Sequence, residues 1–418
     1  MRSDRYKQET QKKKSSALKV LLILILLLIV AIGGSTAYFY KSALDSLAIN
    51  FKDGSDALKF GGDYPAMDQI ESSEGDVTPA SEKLDADSTG EHEMSYTVSK
   101  SLLGGLLEPS REFTLQYTVV DTEAPLMLWS GDGTVLEAGT GFDINNVIAY
   151  GDNADPEPSV TVDGEVDMNT EGSYPLHVTV TDASGNSTDW DLSVEVATEL
   201  PTYEDNSERT KFEDFVSEYK GDGKVFGIDV SAWQDEIDFE AVKKAGCEFV
   251  MIRIGFGSGD DYTLDKRFRE NLEHAKAAGI RTGLYFYSYD NSVDSVRKSA
   301  QHIIETLDGT ALELPVAFDW EDFTAFQTYK MNFTELNRMY DAFADELAKS
   351  GYDCMLYGSK TYLEKVWTGT DTRPVWLAHY IKKTDYDGPY VMWQAGCTGR
   401  ISGIDGDVDL DILYEKDQ

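Results

Sequence analysis

Asp319 and Glu321, two residues apart in the segment AFDWED, are the pair in this chain best suited to chemistry. On a β-strand they project to one face, about 6.5 Å apart along the chain, while Trp320 between them projects to the other. Two carboxyls at short range cannot both ionise freely, so their pKa values separate. One then stays protonated as a general acid while its partner stays anionic, the equipment that cleavage of a glycosidic bond needs. Further acids sit in similar contexts: Asp229 in GIDVSAWQ, and Asp407, Asp409 and Asp411 in GDVDLDIL. The alternative for such acids is a structural ion pair, but buried carboxylates are rare unless paired or functional. Asp407 and Asp411 read as solvated loop or helix-face residues. Aromatic rings accompany the acids. Tyr285, Tyr287 and Tyr289 share a face by period-2 spacing, and Tyr357, Tyr380 and Trp393 fall towards the ends of later strands. Flat amphipathic rings stack on sugar faces and hydrogen-bond hydroxyls, although each could equally serve in core packing.

The elements that must position these groups begin at Lys224. VFGIDVS, FVMIRIGFG, RTGLYFYSY, PVAFDWED and DCMLYGS are near-continuously apolar strands, each followed by a predicted helix, around 238–246, 265–279, 292–307, 333–350 and 360–367. That alternation indicates a parallel sheet covered by helices. PVWLAHY, YVMWQAG and DVDLDIL follow with no convincing helix between them. Eight strands, of which the first five carry helices, predict an irregular α/β barrel of (β/α)5(β)3 type over 224–418. Its 195 residues are fewer than the roughly 250 of a full (β/α)8 barrel. Catalytic groups on barrels lie at the C-terminal ends of strands, which is where Asp229, Asp319 and Glu321 fall, while the eighth strand carries Asp407, Asp409 and Asp411.

Upstream, residues 84–98 (LDADSTGEHEMSYTV) and 166–180 (VDMNTEGSYPLHVTV) align without gaps at an offset of 82, an internal repeat. Each copy alternates as a half-buried strand does, with a second alternating strand after it and then Pro125 or Pro201. The turn in VTVTDASGNSTDW and the VVDTEAP junction resemble bacterial immunoglobulin-like modules of surface proteins. Two all-β sandwiches are expected, at 44–121 and 122–197, with a polar linker at 198–223 carrying a short helix around Phe212, Phe215 and Tyr219. Between residues 121 and 200 there are 17 Asp/Glu and no Lys or Arg. Asp152, Asp155 and Glu157 offer oxygen ligands for calcium, but no EF-hand spacing occurs. A solvated acidic surface is the plainer reading, so no metal site is assigned.

At the start of the chain, residues 1–19 carry a net +5, and Val20–Tyr40 contains 21 residues without a charge. That length covers a hydrocarbon core of about 30 Å. Lys/Arg before the span predict a cytoplasmic N-terminus, and Tyr38, Phe39 and Tyr40 suit the outer interface. Ser35-Thr36-Ala37 is a passable signal-peptidase site, but the apolar run is long for a cleaved signal. The expectation is therefore a signal anchor at 20–40, a cytoplasmic basic tail at 1–19 and everything after the span outside the cytoplasm. The net charge of −38 disfavours nucleic-acid partners, whose phosphates need Lys/Arg. Cys247, Cys354 and Cys397 match no zinc pattern and are expected to be free thiols. No cofactor is called for.

Several ordered motifs carry a family resemblance: GIDVSAWQ with Ile237-Asp238 soon after, FVMIRIG, GLYFYSY, the Asp-Trp-Glu of the fourth strand, WLAHY, and WQAGCTGRISGIDGDVDLD. Residues 224–418 resemble glycoside hydrolase family 25, lysozymes that cut peptidoglycan after N-acetylmuramic acid. The resemblance implies Glu321 as general acid/base and Asp319 as its partner, either orienting the substrate's acetamido group or acting more directly. Asp229 and Asp409 would complete an acidic floor, and Tyr285, Tyr287, Tyr357, Tyr380 and Trp393 would contact substrate. Phe286 stands where many members have His. The implied partner is peptidoglycan, met from a membrane anchor. A wall-binding or adhesive protein that keeps the barrel as a lectin, and a chitin-cleaving enzyme, are the alternatives.

Overall fold

The structure, a computed structural model, describes residues 2–202 and 204–415, with side chains described from Ser16 onward. The side chains of Arg2, Arg5, Lys7 and Lys12 to Lys14 in the basic tail therefore lie outside the described residues. The chain divides into two compact units, Met1–Thr122 and Glu123–Gln418.

The first unit opens with helix α1, Arg2–Ser46, in which Ser16–Ser46 is long and apolar enough to cross a membrane. At 1.5 Å per residue those 31 residues extend about 46 Å. The Leu, Ile and Val side chains from Leu18 to Ile32 are exposed rather than packed on protein. The β-domain that follows has a four-stranded sheet, in the order Ala57–Lys59, Ser110–Val120, Gly90–Ser99, Asp76–Pro79, and a two-stranded sheet of Ile49–Phe51 with Ile70–Ser73. The alternation read from sequence is what builds its core. Met94, Tyr96, Leu115, Tyr117 and Val119 turn inward, and Tyr96 donates its hydroxyl to the Ala66 carbonyl at 2.9 Å.

The second unit begins with a β-domain of the same plan. Its four-stranded order is Thr134–Glu137, Ser187–Ala197, Gly172–Thr181, Ser159–Asp163, with Leu126–Ser130 and Ile148–Gly151 paired beside it. In both domains the outer short strand runs parallel to the last long one, and the long hairpin is antiparallel. Gly90 and Gly172 start equivalent strands, at the offset seen in the sequence. Several acids of this domain shape turns: Asp152 Oδ1 accepts the Ala154 and Asp155 amides at 2.8 and 2.7 Å, and Asp155 Oδ2 accepts that of Ala183 at 2.8 Å.

The rest of the unit is a closed eight-stranded barrel. Its strands are β1 Lys224–Val230, β2 Phe249–Gly257, β3 Arg281–Ser288, β4 Val316–Asp319, β5 Cys354–Ser359, β6 Val375–Ala378, β7 Met392–Arg400 and β8 Val408–Tyr414. Neighbours pair in parallel from β1 to β7, while β8 closes the sheet antiparallel to both β7 and β1. Helices α3 Phe239–Lys244, α4 Phe268–Ala277, α5 Val293–Leu307, α6 Phe333–Ala348 and α7 Lys360–Lys365 follow β1 to β5 in turn. Side chains at their starts supply caps: Asp238, Ser292 and Asn332 accept the amides of Ala241, Ser295 and Glu335. Alternate residues split between two cores. Val225, Phe249, Met251, Ala317, Met355, Trp376, Met392 and Leu413 fill the barrel, while Ile228, Val250, Leu284, Phe318 and Leu377 face the helices.

Part of the segment expected to be a free linker is built into the barrel. Thr210–Lys211 pairs in parallel with Gly399–Arg400 of β7, and helix α2, Phe212–Tyr219, buries Phe212 and Phe215, with Phe215 edge-on to Phe226. The amphipathic spacing that predicted the helix also predicts a face that must find a partner.

Candidate active site

The two strands at the closure bring the first acids together. Asp229 on β1 lies directly opposite Asp409 on β8 in the antiparallel register, and Asp411 faces the same interior two residues further along. Asp229 and Asp411 are buried. Burial, then Asp409 and Asp411, push the Asp229 pKa well above the usual carboxylate range, and burial, then Asp409, do the same to Asp411. The Trp376 indole N–H donates to Asp411 Oδ1 at 2.9 Å and draws its pKa back. Asp409 reaches further towards solvent, and burial raises its pKa to about 6.

Across the barrel, Asp319 ends β4 and is aligned with Tyr287 of β3 and Tyr357 of β5. It is only 4% exposed, and its Oδ1 has no hydrogen-bond partner among the described residues. Burial first and Glu321 second raise its pKa strongly, opposed by the Arg253 guanidinium. Glu321 lies just beyond the strand at the solvent-facing mouth, yet is ringed by enough protein that desolvation, and then Asp409, lift its pKa to about 7. A carboxyl in that range gives up and recovers a proton near neutral pH, the property a general acid/base needs. Trp320 between them is fully buried on the opposite face and donates its indole N–H to the Asp290 carbonyl at 2.9 Å.

Gln394 on β7 ties the site together. Its Nε2 donates to Asp229 Oδ2 at 2.7 Å, and its Oε1 accepts the Tyr357 and Tyr380 hydroxyls at 2.8 and 2.7 Å. Tyr285 lines the interior half-buried, where burial and then Asp229 raise its pKa, and Tyr287 packs edge-on to Tyr289 at 5.2 Å. Tyr380, 51% exposed, forms part of the rim. Arg253 on β2 is held by Asp265 at 2.8 Å and opposes the upward shift of Asp319.

The structure thus gathers Asp229, Asp319, Glu321, Asp409, Tyr285, Tyr287, Tyr357 and Tyr380 about one barrel interior and mouth. Two expectations are corrected. Trp393 faces outward, packing edge-on against Tyr219 of α2 at 5.5 Å and donating to the His379 carbonyl at 2.9 Å. The interior position belongs to its neighbour Gln394. Asp411 is not a solvated residue but a fully buried one. Gln394, Arg253 and Trp376 were missed, although period-2 parity carried through YVMWQAG from Met392 would have pointed Gln394 inward. Phe286, at the position where His is common in the resembled family, faces outward against Tyr262 and Phe343.

Parts of this chain are similar to known proteins. Residues 228–404 match the family model described as Glycosyl hydrolases family 25, and residues 128–196 match that described as Bacterial surface protein, Ig-like domain. The chain therefore carries a family 25 domain preceded by a bacterial immunoglobulin-like module. Among curated relatives, the autolytic lysozyme of Clostridium acetobutylicum is 32% identical over 191 residues, 45% of this chain and 56% of that protein. Lysozyme M1 of Streptomyces globisporus is 30% identical over 198 residues, 44% of this chain and 66% of that protein. The matches thus span between about half and two thirds of those relatives' own length. Among solved structures, the bacterial lysozyme from Streptomyces coelicolor aligns with a TM-score of 0.37 at 26% identity, covering 45% of this chain and 90% of that one.

Proposed function

We propose that this chain is a membrane-anchored N-acetylmuramidase that cleaves the β-1,4 bond between N-acetylmuramic acid and N-acetylglucosamine in peptidoglycan, for remodelling of the cell wall. The observation that carries the proposal is the pairing of Glu321, with its pKa lifted to about 7, and Asp319, buried with an unpartnered oxygen, at the mouth of a barrel. Glu321 protonates the glycosidic oxygen as the bond to the leaving sugar breaks. Asp319 either orients the acetamido group, whose oxygen attacks the anomeric carbon as the bond to the leaving sugar breaks, or attacks that carbon itself through its carboxylate; water then displaces the bonded oxygen, so both routes retain configuration. Glu321 then takes a proton from the water that completes hydrolysis. Asp229 and Asp409 form the acidic floor, and Tyr285, Tyr287, Tyr357 and Tyr380 contact sugar. In this reading the barrel is of (β/α)5(β)3 type, α1 is a signal anchor with its basic end in the cytoplasm, and the barrel lies outside, where peptidoglycan is found.

The test is incubation of the full chain, purified in detergent, with peptidoglycan, beside Glu321→Gln and Asp319→Asn. New reducing ends at muramic acid from the unaltered protein, and almost none from Glu321→Gln, are expected. Binding without release by the unaltered protein would replace this reading with a lectin role, and release at N-acetylglucosamine would reassign the specificity. Loss on Asp319→Asn alone would reverse the two roles.

A further inference from the structure

We propose that the second immunoglobulin-like domain is a working part of the catalytic unit, with Gly151 and Gln327 as positioning residues that hold Glu321 and Asp319 in register. This rests on the catalytic reading of those two acids. A tethered spacer would touch the barrel through a small polar interface and move freely against it. Here Leu128 and Ala149 of the β-domain are buried in the same hydrophobic core as Phe323, Phe326 and Phe333 of the barrel.

The contact falls on the segment immediately after the candidate acid. Residues Phe323–Tyr329 form a short helical loop two residues beyond Glu321. Gln327 Nε2 donates to the Ile148 carbonyl at 3.2 Å, and Tyr362 donates its hydroxyl to that of Leu128 at 3.3 Å. The start of α6 is clamped as well. Its capping residue Asn332 donates to the Ala154 carbonyl at 2.7 Å, the Phe333 amide to that of Asp152 at 2.8 Å, and the Thr334 hydroxyl to that of Asn153 at 2.8 Å. Gly151 lies flat against this surface. A Cβ there would come within 2.6 Å of the Phe333 ring and 2.7 Å of the Phe326 ring, so the fit requires the missing side chain.

From Phe326 the contact reaches the acids in one step. Its ring packs on Trp320 at 5.6 Å, beside Phe323 at 4.9 Å and Tyr329 at 5.2 Å, and Trp320 is the residue between Asp319 and Glu321. With the indole fixed to Asp290 on one side and covered by this loop on the other, any displacement of the loop shifts the backbone that carries both carboxyls. Tyr329 also donates to Asp322 at 2.6 Å, tying the far end of the loop back to the residue next to Glu321.

The experiment compares the full chain with Gly151→Val and Gln327→Ala, and with Val162→Ser on the exposed edge of the same domain as a control. Activity of the unaltered protein on peptidoglycan establishes the catalytic reading independently. Given that activity, Gly151→Val is expected to lower kcat about 10- to 100-fold, the scale of an ångström-sized misplacement, with KM changed less than about threefold. It should also displace the alkaline limb of the pH profile, while Gln327→Ala shows a smaller effect of the same kind and Val162→Ser none. If the melting temperature falls but kcat and the pH profile stay unchanged in both interface variants, the domain is only a scaffold and the proposal is wrong. If Gly151→Val does not fold, Gln327→Ala alone decides by the same kcat and pH readouts.

Discussion

Replacing Glu321 by Gln removes an ionisable proton while leaving the side chain's size almost unchanged, so its effects on activity and stability can be read separately. Loss of a general acid/base costs about 10²- to 10⁴-fold in rate. The stability effect has the opposite sign. A carboxyl lifted from 4.5 to about 7 favours its protonated form by ~3 kcal/mol relative to the unfolded chain. Because the side chain reaches solvent, screening leaves about 1 to 2 kcal/mol of this. The folded-state pKa is raised, so the contribution is intact below pH 4.5 and is lost as pH rises through about 7. Gln never ionises and loses nothing. Glu321→Gln should therefore match the unaltered protein near pH 4.5 and exceed it by about 1 to 2 kcal/mol at pH 8, roughly 2 to 8 °C in melting temperature. Thermal unfolding of both proteins across that range is the assay. An equal pH slope for the two, or a variant less stable at pH 8 than the parent, would refute a carboxyl held protonated by its surroundings.

Other positions make separate tests. Gln394→Leu strips Asp229, Tyr357 and Tyr380 of a shared partner, and should cost about 2 to 4 kcal/mol. A urea midpoint close to that of the parent would mean the hub carries no such weight. Trp393→Ala should destabilise by about 3 to 5 kcal/mol yet leave KM for peptidoglycan unchanged, since the ring lies against Tyr219 outside the barrel. A raised KM would return it to the cleft. Thiol labelling under denaturation without reductant should count Cys247, Cys354 and Cys397 as three free groups, and a count of one would reveal a disulfide.

Much of the architecture was legible because it depends on local periodicity. The five barrel helices fall within a few residues of the positions read from strand-helix alternation, as capping residues such as Ser292 and Asn332 mark their starts. The repeat at offset 82 appears as equivalent strands because identical alternation demands the same hairpin. The acids at the ends of β1, β4 and β8 were visible as polar breaks in apolar runs. The misplacing of Trp393 turns on strand parity. In β7, one residue of register decides whether Trp393 or Gln394 enters the barrel, and aromatic character says nothing about which.

The sequence by itself determined that an apolar helix precedes two repeated β-domains and a barrel, and that Asp229, Asp319, Glu321 and Asp409 are candidates for chemistry, because periodicity and residue type are local properties. Only the tertiary structure decided that Asp411 is buried beside Asp229, that Gln394 binds the tyrosines, and that the second β-domain shares the barrel's core. Those relations join residues as far apart in sequence as Leu128 and Tyr362, 234 positions. No local pattern encodes them, since burial and pairing depend on which surfaces meet once the chain has closed.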